Sequence, residues 1–334
     1  MGFDEIVFLL PGHENLAGLR RLDVDRDWRH FTTGLSAWVL QTYLRLHERG
    51  LPVQLTDRMP NNGIVVMHAH SGAAVQHAGI PPAVVVVGVR ADKPAQHFAD
   101  FEIVQNNRSA DGRRSFAVPH WPQPGLLARD AQRGHLLGKA GYKGHLKMLN
   151  PALRSTAWEE HLRQAGIAWC CDAVPFGGPG SVYQTVAWND YQRVDAVVAV
   201  RPEWRGSYPT KPATKLVNAW LAGVPAVLGP EDAYREPRRG PLDYLEVRSL
   251  TEAERAVDRL ATDSGLYLDM VANGRTRASA FTAEEVAQRW ATLLFEDLPR
   301  ALAAGGGRRA ASRRSGLRGW RRRGISALRS SRRP

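Results

Sequence analysis

Short runs of apolar and β-branched residues, each closed by a polar cluster, recur along this chain and constrain its fold more than any other feature. AVVVVGVRAD, residues 83–92, is the most apolar of them. IVFLLPG, VQLTD, GIVVMHAH, FEIVQNN and FAVPHW share the first half of the chain with it. A half-exposed antiparallel strand alternates apolar and polar residues, whereas a strand of a parallel sheet is covered on both faces and reads as a continuous apolar run. Between the first two runs, Leu35, Trp38, Val39, Thr42, Tyr43 and Leu46 recur at helical spacing before Gly50, which predicts an amphipathic helix packed on the sheet.

PHWPQPGLLARD, around Trp121, breaks regular structure with three prolines and a glycine, and a domain boundary is expected there. Beyond it strands and helices alternate. HLLGKAGYKGH leads to a helix through Trp158 and Leu162, then the strands GIAWCC and VDAVVAV, a helix from Pro212, the strand PAVLG, the segment YLEV and a helix over residues 252–261. This order predicts an α/β protein of two Rossmann-like domains. We expect an N-terminal domain over residues 1–125, a C-terminal domain over 126–283, a terminal helix over 284–304 crossing back to the first domain, and a disordered arginine-rich tail over 305–334. Thr282 is the expected N-cap of that terminal helix.

A chain of 334 residues can bury two cores without disulfides. Its two cysteines, Cys170 and Cys171, are adjacent and fit two small residues ending a strand in a reducing compartment. No apolar run approaches the ~20 residues of a membrane span. The opening MGFDEIVFLLPG carries no basic leader or cleavage site, so a cytoplasmic protein is expected. The formal charge of +12 suggests a nucleic-acid binder, but eleven arginines lie between Arg308 and Arg333 and leave the body near +1. A near-neutral body makes nucleic acid an unlikely partner.

The most informative stretch is YPTKPATKLVNAWLAGVPAVLGPEDAY, residues 208–234. Proline is tolerated at the first helical position, so a helix is expected to begin at Pro212, bury Leu216, Ala219 and Trp220, and end at Gly223 before a strand. The amides of Ala213, Thr214 and Lys215 would then point outward beside Lys211 and Lys215, where a diphosphate could bind. The same lysines also fit a solvated surface.

This segment resembles the signature of GT-B glycosyltransferases, in particular their large retaining branch, in which a loop and helix read E-x7-E and end A-x-A-x-G-x-P-V. Here the ending is NAWLAGVPAV, and the two glutamate positions hold Thr210 and Asn218. In that family the helix contacts the donor's phosphates and the second glutamate grips the ribose; the amide of Asn218 could hydrogen-bond a ribose hydroxyl in its place. GYKGH, residues 141–145, resembles the loop that opens the family's C-terminal domain, with Lys143 and Lys147 as phosphate candidates. YQRVDAVVAVRPEW resembles the segment before the donor loop and places Arg201 at a strand's carboxyl end, as a further candidate for the donor phosphates. The block LYLDMVANGRTRASAFTAEEVAQRW resembles the last two helices. The resemblance implies two Rossmann-like domains facing across a cleft, a nucleotide-sugar donor, a glycan, lipid-linked or small-molecule acceptor, and no bound metal or other cofactor.

In this fold the first loop often carries a catalytic base, which His13 could be, with Gly12 and Glu14 beside it and Arg90 and Asp92 in VGVRAD as further acceptor-side candidates. His68 and His70 in MHAH alternate as on a strand and are expected in structural or surface roles. DVDRD, residues 23–27, contains the D-x-D pattern of metal-dependent GT-A enzymes but lies in a polar connection and reads as a solvated loop. The tail sets Leu317, Trp320, Ile325 and Leu328 among its arginines; disorder with salt-sensitive anion binding is expected, and contact with an anionic inner membrane face would suit a lipid-linked acceptor. Two other functions fit the sequence: a GT-B-shaped nucleotide or glycan binder without transfer activity, and an anionic-surface or nucleic-acid binder acting through the tail.

Overall fold

The computed structural model describes residues 6–175, 183 and 185–306. The arginine-rich segment after residue 306, with its expected disorder and anion binding, lies outside the described residues. The chain divides into two compact units, one of Met1–Trp121 with Ala283–Pro334 and the other of Pro122–Thr282.

In the first unit, β1 (Ile6–Leu9), β2 (Val53–Thr56), β3 (Asn62–His68), β4 (Ala83–Ala91), β5 (Phe101–Val104) and β6 (Ser115–Ala117) form one sheet in the order β2-β1-β3-β4-β5-β6. Every pairing is parallel. The helices are α1 (Leu16–Leu19), α2 (Gln41–Glu48) and α3 (Gly72–Ala78). Side chains on successive strand positions leave opposite faces. Ile64, Val66, Val85 and Val87 therefore join Trp38 and Leu44 in one core, while Val65, Met67, Val84 and Val86 join Val75 of α3 in another. Burial on both faces is why these strands read as unbroken apolar runs.

In the second unit, β7 (Lys139–His145), β8 (Ala168–Val174), β9 (Ala196–Ala199), β10 (Ala226–Leu228) and β11 (Leu245–Glu246) form a parallel sheet in the order β11-β10-β9-β7-β8. Its helices are α4 (Thr156–Gln164), α5 (Thr214–Ala222), α6 (Asp232–Arg235), α7 (Leu250–Thr262) and α8 (Ser264–Ala278). Helix α5 buries Leu216, Ala219 and Trp220 and ends at Gly223, whose φ of +71° is a left-handed conformation that glycine adopts without strain. The fully buried Asp195 carboxylate accepts bonds from Arg129 Nε at 2.8 Å, Arg133 Nε at 2.7 Å and the main-chain N–H groups of Gly138 and Lys139. A buried charge needs such complete pairing to be tolerated.

The chain then returns to the first unit through α9 (Ala283–Thr292) and α10 (Leu298–Ala303), separated by a π turn at Leu293–Asp297. Sequence periodicity predicts one long helix here. The interruption has a local cause: Pro299, at the start of α10, has no N–H to donate to the preceding turn. Val286, Trp290 and Leu294 enter the core around Trp38, with the Trp38 and Trp290 rings 6.3 Å apart. Among the described residues, no helix is long and apolar enough to cross a membrane.

Candidate functional site

The strands of the second unit's sheet are parallel, so β7, β9 and β10 deliver their carboxyl ends to one edge, the edge at which open α/β sheets bind ligands. Lys215, in the first turn of α5, lies at this edge. Its Nζ sits 5.1 Å from the centre of the Tyr142 ring. The Tyr142 hydroxyl donates to the carbonyl of His145 at 2.9 Å, which fixes the ring on the β7 loop. A Cβ at Gly144 would lie 3.2 Å from Lys215 Nζ and 3.0 Å from the Tyr142 hydroxyl, so the absence of a side chain there lets the ammonium approach the backbone.

Helix α5 starts at Thr214, with Ala213 as N-cap and no side-chain cap. The sequence places this start at Pro212; the residues from Tyr208 instead form a turn in which Lys211 N–H donates to the Tyr208 carbonyl at 3.0 Å. Without a capping side chain, the first-turn N–H groups carry the positive end of the helix dipole beside Lys215. Burial and the neighbouring Arg201 cation push the Lys215 ammonium down to about 8, with Glu231 acting in the opposite sense and Lys211 adding to the depression. His145 is likewise held below its ordinary value by burial and by Lys215, Lys147 and Lys211. Its ring meets Trp188 and Tyr183 edge-on at 5.4 and 6.1 Å.

Arg201 follows β9 as expected, but its guanidinium is already engaged. Nε donates to Glu231 Oε2 at 2.5 Å, and the group lies 5.2 Å from the Tyr208 ring and 3.5 Å from Met148 Sδ. Asn150 Nδ2 binds the carbonyls of Arg201 and Pro202 at 3.0 and 2.9 Å and ties this segment to the β7 loop. Tyr208 has a φ of +49°, which a bulky side chain adopts only when its surroundings enforce it. Its hydroxyl accepts the Glu203 N–H at 3.1 Å.

The structure thus brings together Lys215, Thr214 and Arg201, with Thr210 and Lys211 in the adjoining turn. Two expected members stand apart. Lys143 leaves β7 on the face opposite Tyr142 and pairs with Asp172 Oδ2 at 3.1 Å and the Ala187 carbonyl at 2.6 Å. Asn218 is 6% exposed, and its Oδ1 accepts the Gln123 N–H at 3.0 Å, so its amide oxygen serves the fold rather than an open surface. Lys147 is exposed in a short turn after β7. Glu231 escaped the sequence reading because GPEDAY resembles a solvated loop; its place directly after a strand's carboxyl end was the available signal.

In the first unit, Gly12, with a φ of +72°, and the exposed His13 and Glu14 follow β1 at the carboxyl edge of that sheet. Arg90 Nε donates to the Lys93 carbonyl at 2.9 Å, its guanidinium faces Glu102 at 3.8 Å, and Asp92 lies in the same turn after β4. His68 and His70 do not alternate on a strand: β3 ends at His68, a 3-10 turn carries His70, and their rings meet at 4.7 Å. His68 is buried, and burial with the nearby His70 and Lys93 pushes it down to about 4. The DVDRD aspartates serve the chain itself: Asp23 accepts from Arg26 Nε at 2.8 Å, Asp25 takes both Arg45 terminal nitrogens, and Asp27 accepts the Asp23 N–H. Among the described residues, no group of His, Cys, Asp or Glu is arranged to hold a metal ion.

No protein-family profile and no curated protein sequence matches the chain. Solved structures do. Sucrose-phosphate synthase from Thermosynechococcus elongatus aligns with a TM-score of 0.57 at 12% identity, over 90% of this chain and all of that one. Anabaena HepE, solved with UDP and glucose, aligns with a TM-score of 0.52 at 14% identity, over 87% of this chain and 99% of its own. The pneumococcal O-GlcNAc transferase GtfA, solved with UDP and GlcNAc, aligns with a TM-score of 0.52 at 12% identity, over 78% of this chain and 60% of its own. The chain has the α/β fold of GT-B glycosyltransferases, built on two parallel Rossmann-like sheets.

Proposed function

We propose that the chain is a glycosyltransferase whose second unit binds a nucleotide-sugar donor at the carboxyl edge of its sheet. The observation that carries this reading is the Lys215 ammonium held between the Tyr142 ring and the Gly144 backbone at the uncapped start of α5. An ammonium and a row of outward N–H groups suit a diphosphate. They would also stabilise the charge that builds on a departing nucleoside diphosphate, an electrostatic contribution in place before the reaction begins. Thr214 and Lys211 flank the phosphates in this reading, and Thr210 lies toward the sugar. Ribose recognition is not assigned to Asn218, and Lys143 is not a phosphate ligand.

The acceptor is assigned to the first unit, where Gly12, His13, Glu14, Arg90 and Asp92 follow strand ends, with His13 as the proposed base. UDP is the first nucleotide to test, because HepE and GtfA were solved with it. Lys215→Ala is expected to keep the fold and lose at least tenfold in UDP affinity, measured by calorimetry, together with transfer activity. Full activity in that variant would remove the assignment. The binder without transfer activity is favoured by the absent glutamates at positions 210 and 218, and it predicts UDP-sugar binding with no release of UDP when acceptors are supplied.

A further inference from the structure

We propose that Glu231 is a positioning residue of this anion site: by pairing with Arg201 it fixes the guanidinium at the sheet edge that also carries Lys215 and offsets its charge there. The inference rests on the donor-site reading above and adds a residue to it. Glu231 is 1% exposed and Arg201 is 11% exposed at its side chain, so the ion pair is shielded from bulk water. Bringing a guanidinium, an ammonium and the positive end of a helix to one low-dielectric edge would favour loss of the one proton that can leave, that of the lysine. A carboxylate paired with the guanidinium counters this.

Charged and titratable groups that act on this cluster come from several of the elements packed there, Arg154 in the turn before α4 among them. Tyr142 and His145 belong to β7, Lys147 to the turn after it, Arg201 to the end of β9, Glu231 to the end of β10, Tyr234 to α6 and Lys211 to the turn before α5. Of these, Glu231 is the anion that opposes the depression of Lys215. Arg201 is held from three sides, by Glu231, by Met148 and by the Tyr208 ring, so the carboxylate controls where the guanidinium lies as well as its charge.

The test is the pH profile of UDP affinity for the full chain, by calorimetry from pH 6 to 9.5. In the wild-type protein, affinity should fall as pH rises through the Lys215 midpoint. Glu231→Gln should move that midpoint to lower pH by a unit or more, giving about a fivefold or greater loss at pH 8 relative to wild type. Arg201→Gln should move it the opposite way, a sign that loss of structure would not produce. Lys215→Arg in the Glu231→Gln background should remove the pH dependence, because a guanidinium keeps its proton throughout. If Glu231→Gln does not fold, Arg201→Gln alone decides, and an unchanged midpoint in that variant overturns the proposal. An unchanged midpoint in folded Glu231→Gln also overturns it. Absence of UDP, GDP and ADP binding to the wild type at pH 6.5 would instead overturn the donor-site reading.

Discussion

The Lys215 ammonium packs close against Gly144, where a Cβ would stand 3.2 Å from its Nζ and crowd it. Gly144 also has a φ of +150°, which residues with a Cβ rarely adopt. Gly144→Ala is therefore expected to cost ~1–3 kcal/mol of stability in urea unfolding. It should also weaken UDP binding at least tenfold by displacing the ammonium. Wild-type affinity in a folded Gly144→Ala protein would show that the close approach has no part in binding.

Asp195 supplies a prediction about acid. Burial opposes its ionisation, but the bonds from Arg133 and Arg129 outweigh burial and hold the carboxyl below its ordinary value. An unfolded aspartate titrates at ~3.9. The stabilisation is thus complete above about that pH and is lost as pH falls through the lower folded value. Asp195→Asn is expected to cost ~3–5 kcal/mol at pH 7, because it leaves Arg129 and Arg133 without their counter-ion. The gap between wild type and variant should narrow as pH is lowered below 4, and a gap that stays constant would contradict the argument.

Trp290 tests how the returning segment holds the first unit. Its side chain is fully buried beside Trp38. Trp290→Ala should cost ~3–5 kcal/mol through the cavity it leaves. Hydrogen exchange should quicken in β1, β3 and α2 and stay slow in β7 and β9. Equal acceleration in both units would mean that they unfold as one.

Much of the architecture was legible because two-sided burial writes itself as runs such as Val84–Val85–Val86–Val87, and because Gly223 and the returning strand bound α5. The candidate site was legible in part. Lys215 and Arg201 sit beside sequence features that carry geometry, a helix start and a strand end. Period-two alternation sets Lys143 on the face opposite Tyr142, where the structure pairs it with Asp172. Asn218 looked available because a family pattern says nothing about a local partner such as Gln123, 95 residues away in sequence. Glu231 acquires its role from Arg201, 30 residues earlier, and only the parallel order of β9 and β10 brings the two together.

The first unit is assembled from two stretches of chain, Met1–Trp121 and Ala283–Pro334, whereas the second is one unbroken stretch. On the ribosome this inverts the usual N-to-C order of domain completion. The second unit can finish folding while the first still exposes the apolar surface around Trp38, waiting for Trp290 and Leu294 to be made. Synthesis rate and chaperone access should therefore limit the yield of the first unit, and a pause late in translation would leave a sheet with all its strands made but part of its core uncovered.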